Sequence, residues 1–161
     1  MSRDSLDSAI TPAVYSSEEV ISHFAALLED TSFSTQLHYL GIKRALMSPR
    51  RRRAREELKA MFIGLWKLAL DSSFPRQSEE IFSDFMEKYS RCMPAKKSTQ
   101  MCEKILGYAE MLKSNGDKDF TDIAGHVLSK INIPQGDCPK ASLALALDIR
   151  AFYQTIFERL I

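Results

Sequence analysis

Apolar residues recur every three or four positions along most of the chain, which is the spacing of one face of an α-helix. No segment shows the convincing alternation of apolar and polar residues that marks a half-buried strand. The pattern therefore predicts an all-α bundle of about six to seven helices, in which the third and the last helices are long. The predicted helices cover about residues 16–28, 34–47, 49–71, 74–92, 99–114, 120–131 and 139–160.

Several helix ends carry sequence signals of their own. Ser16 followed by Glu19 predicts a capping box, because each side chain can bind the free backbone N–H of the other residue. Ser48 and Pro49 predict the start of the third helix, since the missing N–H of a proline costs nothing in the first turn. Asn115-Gly116 predicts a left-handed end of the fifth helix. The spacing then predicts the inward face of the third helix as Leu58, Met61, Phe62, Leu65, Trp66 and Ala69.

The organisation of the chain is simple. We expect residues 16–161 to form one helical domain of ordinary size. Residues 1–15 are rich in Ser, Asp and Thr and show no sustained period, so we expect a flexible N-terminal arm there. The break at residues 93–98 is too short to establish a linker between two domains.

Composition narrows the classes of protein. The formal net charge is only +1, so an argument for a polyanionic partner must rest on local clusters of charge. The three cysteines match no zinc or disulfide pattern, which favours a reduced, intracellular protein. Charged residues at positions 3, 4 and 7 precede any apolar run, so we expect no signal peptide. No uncharged apolar stretch approaches the ~18 residues that a membrane span needs, and we expect a cytoplasmic location.

The strongest local signal is a run of arginines in the first two turns of the third helix. Positive charge at this end opposes the helix dipole. At about 100° per residue, Arg51 and Arg55 point within about 20–60° of Leu58, which is the azimuth of the predicted core. Either this end of the helix projects beyond the core, or the guanidinium groups meet carboxylates or phosphates. The run consists of Arg50, Arg51, Arg52, Arg53 and Arg55.

Two interpretations of the run stay open. In the first, it forms an electrostatic site for nucleic acid or another polyanion, because arginine binds phosphate through two parallel hydrogen bonds. In the second, Glu56 and Glu57 follow two of the arginines at i+4 and partly neutralise the helix end in place. Lys96 and Lys97 lie in a predicted exposed loop and add a second, milder basic cluster to the first interpretation.

Glycines inside predicted helices, at positions 41, 64, 107 and 125, are a second unusual feature. Each costs about 1 kcal/mol relative to alanine in a helix interior. Gly64 follows Ala60 by one turn on the side of the third helix that faces away from the predicted core. Small residues there let another backbone approach closely. Two interpretations stay open: Ala60 and Gly64 contribute to a subunit or partner interface, or they allow close packing of helices within one domain.

The last predicted helix carries an apolar arc well over 100° wide. A helix this apolar is either central to the fold or buried in an oligomer. In the second interpretation, Phe152, Ile156 and Leu160 lie at the interface of a homodimer. The arc consists of Leu145, Ile149, Phe152, Tyr153, Ile156, Phe157 and Leu160.

Catalytic chemistry finds little support in the sequence. Glu19 with His23, and Asp122 with His126, are spaced as pairs of metal ligands on one helix face, but this spacing is common by chance. No Gly-rich phosphate loop and no Gly-x-Ser-x-Gly motif are present. We therefore expect no catalytic residue, no bound metal and no cofactor.

Three functional hypotheses follow. The favoured one is a non-catalytic helical interaction protein, such as an adaptor, regulator or assembly subunit, that is homo-oligomeric and binds a protein partner or itself. The alternative is a helical nucleic-acid-binding protein that uses the arginine run. An enzyme that uses a metal or a small ligand is the least favoured.

Overall fold

The computed structural model describes residues 15–42, 48–116, 118–133 and 138–160. These residues form seven helices and no strand, which confirms the predicted all-α bundle with long third and last helices. Most of the predicted flexible arm (1–14) and the predicted end of the second helix (43–47) lie outside the described residues. The helices are α1 (Ser17–Asp30), α2 (Ser34–Tyr39), α3 (Pro49–Ser73), α4 (Ser78–Arg91), α5 (Ala95–Asn115), α6 (Thr121–Ile131) and α7 (Cys138–Arg159).

Helix α3 occupies the centre of the bundle and contacts each of the six other helices in the described ranges. The six residues predicted to face inward are all at most 1% exposed. Ala60 and Ile63, on other sides of the helix, are also fully buried because neighbouring helices pack around α3. Trp66 stacks on Phe24 of α1, with a distance of 4.2 Å between the ring centroids. The core is therefore built around the middle of α3 and leaves its first two turns at the edge.

The predicted caps are present where the sequence places them. The Ser16 backbone N–H donates to the Glu19 carboxylate at 2.9 Å, and the Glu19 N–H donates to Ser16 Oγ at 3.3 Å, which completes the capping box. Ser48 Oγ accepts from the Arg51 N–H at 3.4 Å, with Pro49 as the first residue of α3. Gly116 follows α5 with φ +69°, a left-handed conformation that favours glycine.

The prediction for the second helix was wrong at its end. Helix α2 stops at Tyr39 and not near residue 47. The backbone turns at Gly41, whose φ of +71° ends a helix and cannot continue one. Gly41 therefore belongs to a helix terminus and not to a helix interior. Leu37 and Leu40 are buried.

The starts of the fourth and fifth helices also differ from the prediction. Phe74 is the C-cap of α3, with its N–H bound to the Leu70 carbonyl at 2.7 Å, and α4 begins only at Ser78. Pro94 is the N-cap of α5, so that helix begins at Ala95, about four residues before the predicted start. Lys96 and Lys97 consequently lie in the first turn of a helix and not in a loop.

Helix α7 packs against α3 and α6. Its residues Leu145, Ile149 and Ile156 are at most 1% exposed. Asp148 accepts hydrogen bonds from Gln36 Nε2 at 2.9 Å and from the Tyr39 hydroxyl at 2.7 Å, and these bonds tie α2 to α7. In the part of the chain that the structure describes, no helix is both long enough and apolar enough to cross a bilayer.

Candidate anion-binding groove

A groove lies between the first turns of α3 and the first turn of α5. Its volume is about 510 Å³, and we call it the basic groove. Five of its seven lining residues are basic and one is acidic. The lining residues are Ser48, Arg51, Arg52, Arg55, Glu56, Lys59 and Lys97.

The helices align the basic side chains of this groove. Arg51, Arg55 and Lys59 follow one another at i, i+4 and i+8, so they form one row on α3 that is about 12 Å long. The Ser48 cap fixes where this row begins. Because α5 starts at Ala95, Lys97 lies in its first turn and faces the row from the neighbouring helix.

The positive charge of the groove is largely uncompensated. Lys97 Nζ lies 3.2 Å from Glu56 Oε1, and this is the one ion pair among the described lining residues. None of the three lining arginines has a carboxylate partner within the described part of the chain. Arg52 and Arg55 are exposed, and Arg51 is half-buried. The groove therefore presents four positive charges to solvent after the ion pair is discounted.

The positive charges of the groove also affect Lys59. Burial lowers the pKa of its ammonium group, and the neighbouring charges of Arg55 and Lys97 lower it further. The carboxylates of Glu56 and Glu29 oppose this shift without reversing it. A lysine whose charged form is disfavoured in this way gains from a bound anion.

The structure divides the residues that the sequence grouped together. Arg51, Arg52, Arg55 and Lys97 line the groove. Arg50, Arg53 and Lys96 are exposed but do not line it. The sequence left open whether this end of α3 projects beyond the core or its arginines meet carboxylates or phosphates. The described residues show that the end projects beyond the core, since Ala54 is the first fully buried residue of α3.

Sequence reasoning missed Lys59, which lies one turn beyond Arg55 and could have been found from that spacing. It also misassigned Glu56 and Glu57, which were expected to neutralise arginines of their own helix. Both carboxylates instead pair with lysines of α5, because that helix packs closely along α3.

Glu57 forms a buried cluster with two residues of α5. Its carboxylate is 2.7 Å from Lys104 Nζ and accepts the Tyr108 hydroxyl at 2.8 Å. Burial and the charge of Glu57 raise the pKa of Tyr108 well above its usual value. A second groove of about 650 Å³ opens beside this cluster, with His126 and Lys130 on its α6 side. Since both oxygens of Glu57 have partners, the cluster holds α3 against α5 and offers no free base.

The interface residues predicted on α3 are wrong, because α5 of the same chain covers them. Ala60 is fully buried. A Cβ placed on Gly64 would lie 3.1 Å from Tyr108 Cβ and 3.2 Å from the backbone nitrogen of Ala109. The small residues therefore allow two helices of one domain to approach, which was the alternative explanation.

The interface residues predicted on α7 are also buried within the chain. Ile156 is 1% exposed and Leu160 is 4% exposed. Phe152 is half-buried between Phe62 and Phe33, with centroid distances of 5.4 Å and 5.8 Å. The arc of α7 therefore fills the core, apart from Phe157, which is 40% exposed.

Other exposed apolar residues lie elsewhere on these helices. Leu143 is 65% exposed and Leu147 is 58% exposed on α7, and Leu106 is 54% exposed on α5.

The described residues contain no group of three His, Cys, Asp or Glu side chains arranged to hold a metal ion. The sequence matches no protein-family model, and no curated protein and no solved structure matches it.

Proposed function

We propose that this protein binds the phosphate backbone of nucleic acid through the basic groove. The observation that supports the proposal is the set of five basic side chains gathered from two helices, of which one has a described carboxylate partner. Arginine binds phosphate bidentately and stays charged at every physiological pH. Uncompensated arginines around a concave surface are therefore suited to a polyanion.

The composition of the groove defines how it would recognise nucleic acid. Among the described residues, its lining contains no aromatic side chain on which a base could stack, and no Asn or Gln that could read a base edge. Contacts from arginine and lysine to phosphate position a protein without reading sequence. We therefore expect binding that is independent of base sequence.

The charge of the groove sets the expected salt dependence. Each phosphate that is neutralised on duplex DNA contributes about −0.9 to the slope of log K against log salt concentration. Four uncompensated charges predict a slope of about −3.6 for this interface. Raising the salt concentration from 50 to 200 mM should then weaken binding about a hundredfold.

The division of the arginine run supplies a matched test. The double variant Arg52→Ala/Arg55→Ala removes two charges from the groove, and Arg50→Ala/Arg53→Ala removes two from the same helix outside it. Fluorescence anisotropy with a labelled 20-base-pair duplex and a labelled 20-base single strand measures the affinity of each protein. The proposal predicts a large loss for the first variant and a small one for the second. Absence of binding by the wild type at 50 mM salt, or equal losses in both variants, would contradict it.

Self-association is a second candidate function, and it follows from the exposure of Leu143 and Leu147 one turn apart on α7. Exposed leucines on neighbouring turns of one helix favour contact with another apolar surface. Sedimentation velocity over a range of protein concentrations tests it, because a self-associating chain sediments faster as its concentration rises. Constant sedimentation at the monomer value would contradict it.

The cytoplasmic location expected from the sequence stays a prediction.

A further inference from the structure

The outward face of α7 carries a straight stripe of six residues. They are spaced alternately by four and three positions, a period of about 3.5 that keeps one seam of a helix facing a partner helix. Five of the six are exposed and Ala144 is half-buried. The inward residues Leu145, Ile149 and Ile156 lie on the opposite side of the helix. The stripe consists of Lys140, Ala144, Leu147, Ala151, Gln154 and Glu158.

This stripe is complementary to itself when two copies run antiparallel. A twofold axis at the level of residue 149, close to the midpoint of α7, sets each stripe residue opposite another stripe residue. Lys140 then faces Glu158 of the second copy, so opposite charges meet at both ends. Leu147 faces the second copy's Ala151, so a large side chain meets a small one at the centre.

We infer that two copies of this chain pair through α7 in this antiparallel register, and the inference rests on the proposed self-association. The contact is isologous, as the interfaces of most homodimers are. Leu143 lies beside the stripe and adds apolar contact at each end. A single pair of helices forms a small interface, so we expect a weak dimer that dissociates on dilution.

Charge reversal tests the register without endangering the fold. Lys140→Glu places like charges opposite each other and should weaken the dimer at least fivefold, and Glu158→Lys should do the same. The double variant Lys140→Glu/Glu158→Lys restores opposite charges and should recover the affinity of the wild type. Both reversals also complement the dipole of α7, because they put acid at its start and base at its end. A weaker dimer therefore cannot be attributed to a destabilised helix.

The measurement is sedimentation velocity from 5 to 500 µM at low salt, with Leu147→Asp as the variant that should abolish the dimer. Leu106→Asp is the matched control, since it adds the same charge at an exposed leucine of α5 and should leave the dimer unchanged. If the wild type is monomeric at 500 µM, the pairing and self-association both fail. If the wild type dimerises but neither charge reversal weakens the dimer, or the double variant does not recover the wild-type affinity, the antiparallel register is wrong although self-association is supported.

Discussion

Because α3 and α5 approach closely, we expect alanine substitutions at three helical glycines to differ in their effect on stability. Gly64, Gly107 and Gly125 all lie inside helices. A Cβ at Gly64 would lie 3.1 to 3.3 Å from atoms of α5, whereas a Cβ at Gly107 or Gly125 would meet nothing within 4 Å. Alanine is accordingly expected to stabilise the protein at Gly107 and Gly125 but not at Gly64.

The magnitude follows from two opposing terms. Replacing glycine by alanine in a helix interior stabilises the folded state by about 1 kcal/mol. At Gly64, the nearest atoms are Tyr108 Cβ and the Ala109 backbone nitrogen, so α5 itself must move to make room. Overpacking of this kind costs about 1–3 kcal/mol. We expect Gly64→Ala to change stability by about 0 to −2 kcal/mol, and Gly107→Ala and Gly125→Ala to raise it by about 0.5–1 kcal/mol.

Urea denaturation followed by circular dichroism measures all three variants against the wild type. A difference of 1 kcal/mol corresponds to about 2–4 °C in Tm for a chain of this size, so thermal unfolding gives an independent check. If Gly64→Ala stabilises the protein as much as Gly107→Ala does, α5 does not cover that side of α3. The surface at Gly64 would then again be a candidate interface.

Three further predictions concern polar contacts. Tyr108→Phe removes a hydrogen bond from buried Glu57 and should cost about 1–3 kcal/mol in urea denaturation. The pKa of Tyr108 is raised in the folded state, so the stability that its neutral hydroxyl contributes is present below about pH 10 and is lost as the pH rises further. The Tyr108→Phe variant should therefore lose less stability than the wild type at alkaline pH, and an equal loss would contradict this. Asp148→Ala leaves buried Gln36 without its hydrogen-bond partner and should lower the free energy of unfolding by about 1–3 kcal/mol. An unchanged Tm would show that other contacts hold α2 in place. Glu56→Gln frees Lys97 and should strengthen nucleic-acid binding severalfold in anisotropy titrations, whereas weaker binding would mean that the ion pair shapes the groove.

The helices were predictable wherever local signals and burial agree. α3 begins at Ser48-Pro49 as predicted, because the cap and the proline act within one turn and the apolar face follows at once. The start of the fourth helix was predicted at residue 74 but lies at Ser78, because Phe74 serves as the C-cap of α3. Pro94 was taken as a break, although an extended proline at the N-cap position starts α5.

The site was predictable only in part, because it depends on how two helices dock. The sequence shows the arginine run, but α5 determines that Arg52 and Arg55 line a groove and that Arg53 does not. The partners of Glu56 and Glu57 are about 40 residues or more away in the chain, so local i+4 reasoning pointed to the wrong cations. The breadth of the apolar arc on α7 reflects burial by α3 and α6, and the exposed stripe of α7 lies outside this arc.

The salt dependence of duplex binding tests directly whether the basic groove binds nucleic-acid phosphates. The affinity of the wild type and of Arg52→Ala/Arg55→Ala is measured from 50 to 200 mM salt. We expect a steep negative slope of log K against log salt concentration for the wild type, which becomes shallower by about 1.8 in the variant because two phosphate contacts are lost. A slope that is the same in both proteins, or a wild type that does not bind at 50 mM salt, would contradict phosphate binding by the basic groove.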